Sequence, residues 1–363
     1  MKQMLYKGVA ICCVLFFSSF VKAGNLEETK VKNVAYAISS QAYIELNNQY
    51  GEIQVVTWEK DSFKLEATIT ASTDKGYADI DKLLNMVEVV CRGSETSVVI
   101  STEWTSGNAI WKRGKMDLKS LLSSEKKLEV SYIVYLPSKC RLTIENRFGD
   151  VYLPDYLGPL RVTLSHGDLR ARDIADARSI YVKYGKALIK QVDNGLLKID
   201  YGSLILDKAD NISLQTKSSI IEILKVKRLA IKSKSDELRV DQVESLRGES
   251  SFSHIRVKGV SKLIDLNTTY GDVTVKEVKP DFELIRMVGS STDYEVDFAT
   301  GTQYQFNVFI TGNKRVSFSQ KSTIVSQDVY KDEIRYKGFY GSEKATPLVD
   351  IEAKSGYVNL YNP

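Results

Sequence analysis

The sequence predicts an all-β chain: a single-stranded parallel β-helix, or β-solenoid, of 16–18-residue coils with a small α+β insert near its N-terminus and a β cap at its C-terminus. Three observations predict it. The first is a recurring glycine signature: Phe148-Gly149-Asp150-Val151, His166-Gly167-Asp168-Leu169, Tyr184-Gly185-Lys186-Ala187, Tyr201-Gly202-Ser203-Leu204 and Tyr270-Gly271-Asp272-Val273. The second is a pair of apolar columns. Three residues after the signature's first position stand Val151, Leu169, Ala187, Leu204, Ile221, Leu238, Ile255, Val273 and Tyr294; two further on stand Leu153, Ala171, Ile189, Leu206, Ile223, Val240, Val257, Val275 and Val296. The third is alternation with a period of two on both sides of the glycine, the pattern of two strands that share an interior. A unit this short cannot bury its apolar side alone and must stack on copies of itself.

The elements follow in chain order. Residues 1–23 read as a cleaved secretory signal, with Lys2 and Lys7 at a short basic start, an apolar run from Val9 to Phe17 and a small residue at Ala23. A signal-anchor is the alternative, but the apolar run is short for a membrane span. Cys12 and Cys13 raise lipidation, which Ile11, a bulky residue before Cys12, argues against. Loss of Lys2, Lys7 and Lys22 takes the 50 basic residues to 47 against 46 acidic ones, a mature net charge of +1. A nearly neutral protein has no global field to steer it to nucleic acid or anionic lipid. Export puts the chain in the periplasm, on the outer surface or outside the cell, and no later apolar run is long enough to span a membrane.

Residues 24–138 form an N-terminal coil plus an α+β capping region. Leu46-x-Asn48-x-Tyr50-Gly51-Glu52-Ile53-x-Val55 copies Ile144-x-Asn146-x-Phe148-Gly149-Asp150-Val151-x-Leu153 nearly position for position. Between them the period breaks into a strand over 63–70, a helix over 77–86, and strands over 87–91, 97–104 and 128–136. The loop from Thr105 to Lys127 follows Trp104 and carries Trp111, Lys112, Arg113, Lys115, Lys119, Lys126 and Lys127. Trp104, Trp111, Lys112 and Arg113 are candidate contacts for an anionic glycan, lipid head group or protein; a solvated loop with its tryptophans packed on the body is the plainer reading.

Residues 139–300 are the solenoid proper. The column that opens each signature is Phe148, His166, Tyr184, Tyr201, Ser218, Ser235, Phe252, Tyr270 and Ser291. It shares the parity of the inward positions before it, such as Ile144, Val162 and Ile180, so its aromatics are expected to point inward at a corner and stack as core; an exposed, sugar-binding ladder is the alternative. Asn146, Thr216, Ser233, Ser250 and Thr268 read as an internal hydrogen-bonded ladder near the corner. The glycines are expected to supply positive φ there, with Ser219, Asp236 and Ser253 standing in elsewhere. Each coil commits about four apolar side chains inward, each contributing roughly 1.5 to 3 kcal/mol.

Residues 301–363 form a C-terminal cap, where Ala353-Lys354-Ser355-Gly356-Tyr357-Val358-x-Leu360 returns the motif and covers an otherwise open strand edge. The mature chain holds two cysteines, Cys91 and Cys140. They permit one disulfide in an oxidising compartment, or stand as two buried thiols.

The opening L-x-N-x-Y-G-E-I, the helix-containing insert, Val134-Tyr135-Leu136-Pro137 leading into I-x-N-x-F-G-D-V, and the Y-G-D-type coils together resemble the bacterial putative adhesin family of envelope β-solenoids, related to the head GIN domain auto-transporter adhesins. The resemblance covers roughly residues 40–361 and departs from the motif at Ser218, Ser235, Phe252 and Ser291. It implies an exported, non-catalytic binding or scaffold module of the cell envelope, with no catalytic residues, cofactor or metal to carry over. A glycan or an envelope protein is the partner class, and nucleic acid is not.

The alternative is a polysaccharide-active β-helix enzyme, a lyase or hydrolase, which needs convergent acids on an exposed face. Asp150 and Asp168, neighbours after their turn glycines, are its candidates; they also read as turn acids or a weak calcium site. His166 and His254 lie five coils apart, roughly 24 Å by strand spacing, too far to share a metal ion. No H-E-x-x-H, G-x-S-x-G, phosphate-binding glycine loop or zinc-spaced cysteine pair occurs.

Overall fold

The computed structural model of the protein describes residues 19–22, 25–73, 77–104, 126–312 and 315–363. The molecule is all-β, a large open sheet and not a closed barrel, with one short helix among the described residues. Its contacts divide it into two compact units, one ending at Arg172 and the other beginning at Asp173.

In the first unit, Asn25–Ala37 runs antiparallel along Ser62–Thr73, which runs antiparallel along Lys126–Leu136. From there the pairing turns parallel: Tyr132, Ile53, Val151 and Leu169 line up across successive strands, and all four are buried. A second parallel line runs through Val98, Ile44, Leu142 and Leu160. The helix Tyr77–Leu84 buries Ile80, Leu83 and Leu84 and packs against Asn25–Ala37 and Ser62–Thr73. The helix expected over 77–86 is present over Tyr77–Leu84. Among the described side chains of Asn25–Ala37, from Leu26 to Ala37, none is fully buried, which is why no alternation announced this strand.

In the second unit, Lys186–Asp200, Ser203–Lys217, Ile220–Lys234 and Glu237–Val278 pair parallel, each residue meeting the one 17 positions on. Ala187, Leu204, Ile221 and Leu238 share one line; Leu197, Leu214, Ile231 and Gly248 share another. The lines continue through Val273, Tyr294 and Val358, and through Met287, Ile351 and Val308. Both apolar columns read from the sequence are buried along their whole length. Each buried Leu, Ile or Val contributes roughly 1.5 to 3 kcal/mol against exposure, so the columns hold the strands in register. The hairpin Ser322–Tyr330 and Glu333–Tyr340 then lies antiparallel on Tyr304–Thr311.

The turn column is where structure and sequence part. Tyr50, Phe148, His166, Tyr184, Tyr201, Ser218, Ser235, Phe252, Tyr270, Ser291 and Ser355 all adopt left-handed backbone, with φ between 49° and 65°. One left-handed residue slips the inward–outward alternation by a position. Ile144 and Asn146 point inward before the turn, but Val151 and Leu153 do so after it. The aromatics therefore face outward: Phe148 is 44% exposed, Phe252 55% and Tyr270 52%. Core stacking of this column is corrected to surface stacking.

The residue that does face inward at the corner is the next one. Gly149 and Gly167 have ordinary φ. They are glycine because a Cβ would lie 2.0 Å from the Gly51 carbonyl oxygen at Gly149, and 2.2 Å from that of Gly149 at Gly167. At these two, close backbone approach and not positive φ is the requirement, whereas Gly271, at φ 144°, has the positive φ expected of the column. Where Ser219, Asp236, Ser253 and Thr292 take the inward place, they are buried. Asp236 accepts bonds from the hydroxyls of Thr216 and Ser233 and the backbone N–H groups of Ser219 and Lys234, at 2.6–2.8 Å. Asp236 thus bonds the Thr216 and Ser233 hydroxyls of the polar ladder in the second unit.

Gly167→Ala is expected to cost about 1–3 kcal/mol, lowering the thermal midpoint by several degrees while the circular dichroism spectrum stays β-rich. A melt coincident with wild type contradicts the close approach.

Candidate ligand-binding surface

Two asparagine amides build the first unit's turn edge. Asn146 donates from Nδ2 to the carbonyls of Gly51 and Gly149, each at 2.9 Å, and Asn48 donates to that of Val130 at 2.7 Å. Thr102 closes the set, donating its hydroxyl to Asn48 Oδ1 at 2.7 Å with the buried Tyr132 hydroxyl 2.6 Å away. These bonds fix the turns at Tyr50 and Phe148, and the left-handed residues deliver their rings to solvent.

The outcome is a continuous aromatic strip. Tyr50 and Phe148 stack at 5.0 Å with planes 3° apart, and Phe148 and His166 follow at 4.8 Å and 27°. Trp104 meets Tyr50 edge-on at 5.4 Å and 85°. Partial burial raises the pKa of Tyr50 above the ordinary tyrosine value. Trp104 is the only one of the four loop candidates placed among the described residues. Trp111, Lys112 and Arg113 lie outside them. Sequence reasoning missed Tyr50 as a member of the strip and held an exposed ladder through Phe148 and His166 only as its second choice; the signal for Tyr50 was its place in the copied motif.

The other candidates separate. Asp150 is engaged as a turn acid: its Oδ1 accepts the Asp168 backbone N–H at 2.9 Å and its Oδ2 accepts the Tyr152 hydroxyl at 3.2 Å. His166 belongs to the first unit's strip, whereas His254 binds Asp272 in the second unit through Nδ1. Among the described residues no group of three His, Cys, Asp or Glu is placed to hold a metal ion. None of the helices described is long and apolar enough to cross a membrane.

Comparison with known proteins adds little. No family model matches the chain, and no curated protein matches it. Solved structures align along most of its length. A putative adhesin from Bacteroides fragilis is 11% identical, covering 92% of this chain and 97% of its own at a TM-score of 0.25. A putative cell adhesion protein from Clostridium sporogenes is 10% identical, covering 92% and 100%, at 0.16. Two of these neighbours are adhesins by name. A third, a putative lipid binding protein from Parabacteroides distasonis, is 10% identical, covering 91% and 96%, at 0.31. The adhesin names agree with the family that the sequence resembles, but at such TM-scores the likeness carries no argument.

The disulfide permitted by the sequence is absent. Cys140 is a free, buried thiol directed at the Ser39 carbonyl at 3.9 Å, and Cys91 sits half-exposed by the Val89 carbonyl at 4.0 Å. Strand register explains it. Cys91 aligns with Ile100, Leu46 and Ile144, three strands across and four residues along from Cys140. That is roughly 19 Å by strand geometry, far beyond a bridge. Burial pushes the Cys140 thiol up to about 11. Reducing and non-reducing mass spectra should therefore coincide, with Cys140 alkylated at pH 8 only after unfolding. A mass 2 Da lower without reductant contradicts this arrangement.

Proposed function

We propose that the chain is a non-catalytic, exported binding module of the bacterial cell envelope, and that its strands wind as one parallel β-solenoid. The parallel pairing 17 positions apart and the buried columns support the winding. The reading divides the chain as the sequence does: a signal over 1–23, a capped first coil over 24–138, the solenoid over 139–300 and a cap over 301–363.

The ligand surface in this reading is the Trp104, Tyr50, Phe148 and His166 strip, and a glycan is its ligand. One observation carries it: Tyr50, Phe148 and His166 stack ring on ring, with Phe148 and His166 exposed and Tyr50 half-buried beside them. Each left-handed non-glycine residue costs of order 1 kcal/mol or more, and an aromatic pair returns about 0.5–1.5 kcal/mol. Stacking alone roughly offsets the strain, and contiguous exposed apolar surface marks interaction sites. Flat rings in a row present the geometry that sugar rings pack against, with polar turn residues beside them.

A glycan array probed with the mature chain is expected to give hits that weaken about 10-fold or more in Tyr50→Ala/Phe148→Ala. The thermal midpoint of that variant should fall only slightly, because both rings lie outside the buried columns. Arrays and pull-downs blank for the wild type, or hits unchanged in the variant, overturn the assignment. Asp150→Asn/Asp168→Asn, which trims turn acids, should leave those hits in place; polysaccharide cleavage that vanishes in this variant establishes the enzyme reading instead.

A further inference from the structure

Outward charges on the second unit fall into two populations. Over much of its surface a cation finds a carboxylate one strand away: Lys190 lies 3.2 Å from Asp173, Lys227 2.9 Å from Asp210, Lys258 3.1 Å from Asp241 and Arg286 3.3 Å from Asp265. Such pairing leaves little net field. Beside Tyr184 and Tyr201 lysines outnumber carboxylates.

Register brings Lys198, Gln215 and Lys232 into one row across three strands, and Asp200, Lys217 and Lys234 into the next outward row. Lys217, Lys232 and Lys234 are exposed, and no ion pair joins them to a carboxylate among the described residues. Asp200 is the acid within these rows, and it is already engaged, accepting the Tyr181 hydroxyl at 2.8 Å with Lys198 3.7 Å away. Glu249, in register with Lys232, marks the far edge. Lys217 and Lys234 are adjacent across strands, about 4.8 Å apart at the backbone, and Lys232 is about 6.6 Å along from Lys234.

Two rings border the lysines. Tyr184 and Tyr201 stack at 5.3 Å and 15°, and both are exposed. Lys183 lies over Tyr184 at 4.8 Å and Lys217 over Tyr201 at 5.2 Å. The lysines outnumber Asp200 and Glu249, the acids in register with them, so the face carries a local positive excess that attracts anions.

We propose that the face formed by Lys198, Lys217, Lys232 and Lys234, bordered by Tyr184 and Tyr201, binds an acidic polysaccharide. The lysines hold its carboxylate or sulfate groups and the paired tyrosine rings stack on its sugars. Charge complementarity selects an anion, and the adjoining stacked rings select a sugar chain over a simple polyanion. The proposal rests on the binding-module reading but uses no residue of the Trp104, Tyr50, Phe148 and His166 strip, so the two fail separately.

The test is calorimetric titration of the full mature chain with polygalacturonate, with neutral dextran, and with vesicles of phosphatidylglycerol. Binding to polygalacturonate alone is expected, weakening steeply with added salt. Lys217→Gln/Lys232→Gln/Lys234→Gln should weaken it at least 10-fold and Tyr184→Ala/Tyr201→Ala several-fold, with thermal midpoints near wild type because all five side chains are exposed. Tyr50→Ala/Phe148→Ala should leave it unchanged. No binding of polygalacturonate, equal affinity in the lysine variant, an intact affinity in the tyrosine variant, or equal binding of the vesicles overturns the proposal.

Discussion

A single left-handed residue at each turn governs much of what the rest of the molecule does. It lets the strand bend without losing its apolar face, since the side-chain alternation is reset by one position and resumes with the correct sign. The interior therefore stays hydrocarbon on both sides of the corner, as Ile144 before and Val151 after show. The same reset ejects the turn residue itself into solvent. Core continuity and surface aromatics are two outcomes of one dihedral angle.

The inner side of the corner faces a different constraint, space. Where a neighbouring carbonyl comes within about 2 Å of any Cβ position, as at Gly149 and Gly167, only glycine fits. In the second unit Ser219, Asp236 and Ser253 fill the place with hydrogen-bonding groups that reach the backbone of adjacent strands. A buried carboxylate such as Asp236 is tolerable because hydroxyls and N–H groups surround it.

How far the sequence revealed this depends on which physical quantity each position encodes. Burial is written in composition, so Val151, Leu169, Leu204, Leu238 and Val273 could be placed before any coordinates. Backbone φ is not written in hydrophobicity, and Phe and Tyr are uncommon in the left-handed region; parity alone therefore favoured the wrong side for Phe148, and the exposed ladder stood second. So was the hairpin Ser322–Tyr330 with Glu333–Tyr340, whose side chains are largely exposed and give no clean alternation. Of the candidate site, Trp104 was anticipated, whereas its stacking partner Tyr50 was recognised only as part of a motif. The lysine rows were hidden because overall neutrality conceals a local imbalance, and only register shows which lysines adjoin.

The offset of 17 positions shared by Lys186–Asp200, Ser203–Lys217, Ile220–Lys234 and the start of Glu237–Val278 has a consequence for how such a chain can change in length. Loss of a single residue between Ser203 and Lys234 would throw the rest of its strand out of line with the strand beneath it. Loss of 17 would bring Lys186–Asp200 directly against Ile220–Lys234, with Ala187 meeting Ile221 and Leu197 meeting Ile231, hydrocarbon on hydrocarbon. Deletions and duplications of whole multiples are thus the mutational steps that the architecture accommodates, and each would shorten or lengthen the lysine face by one rung.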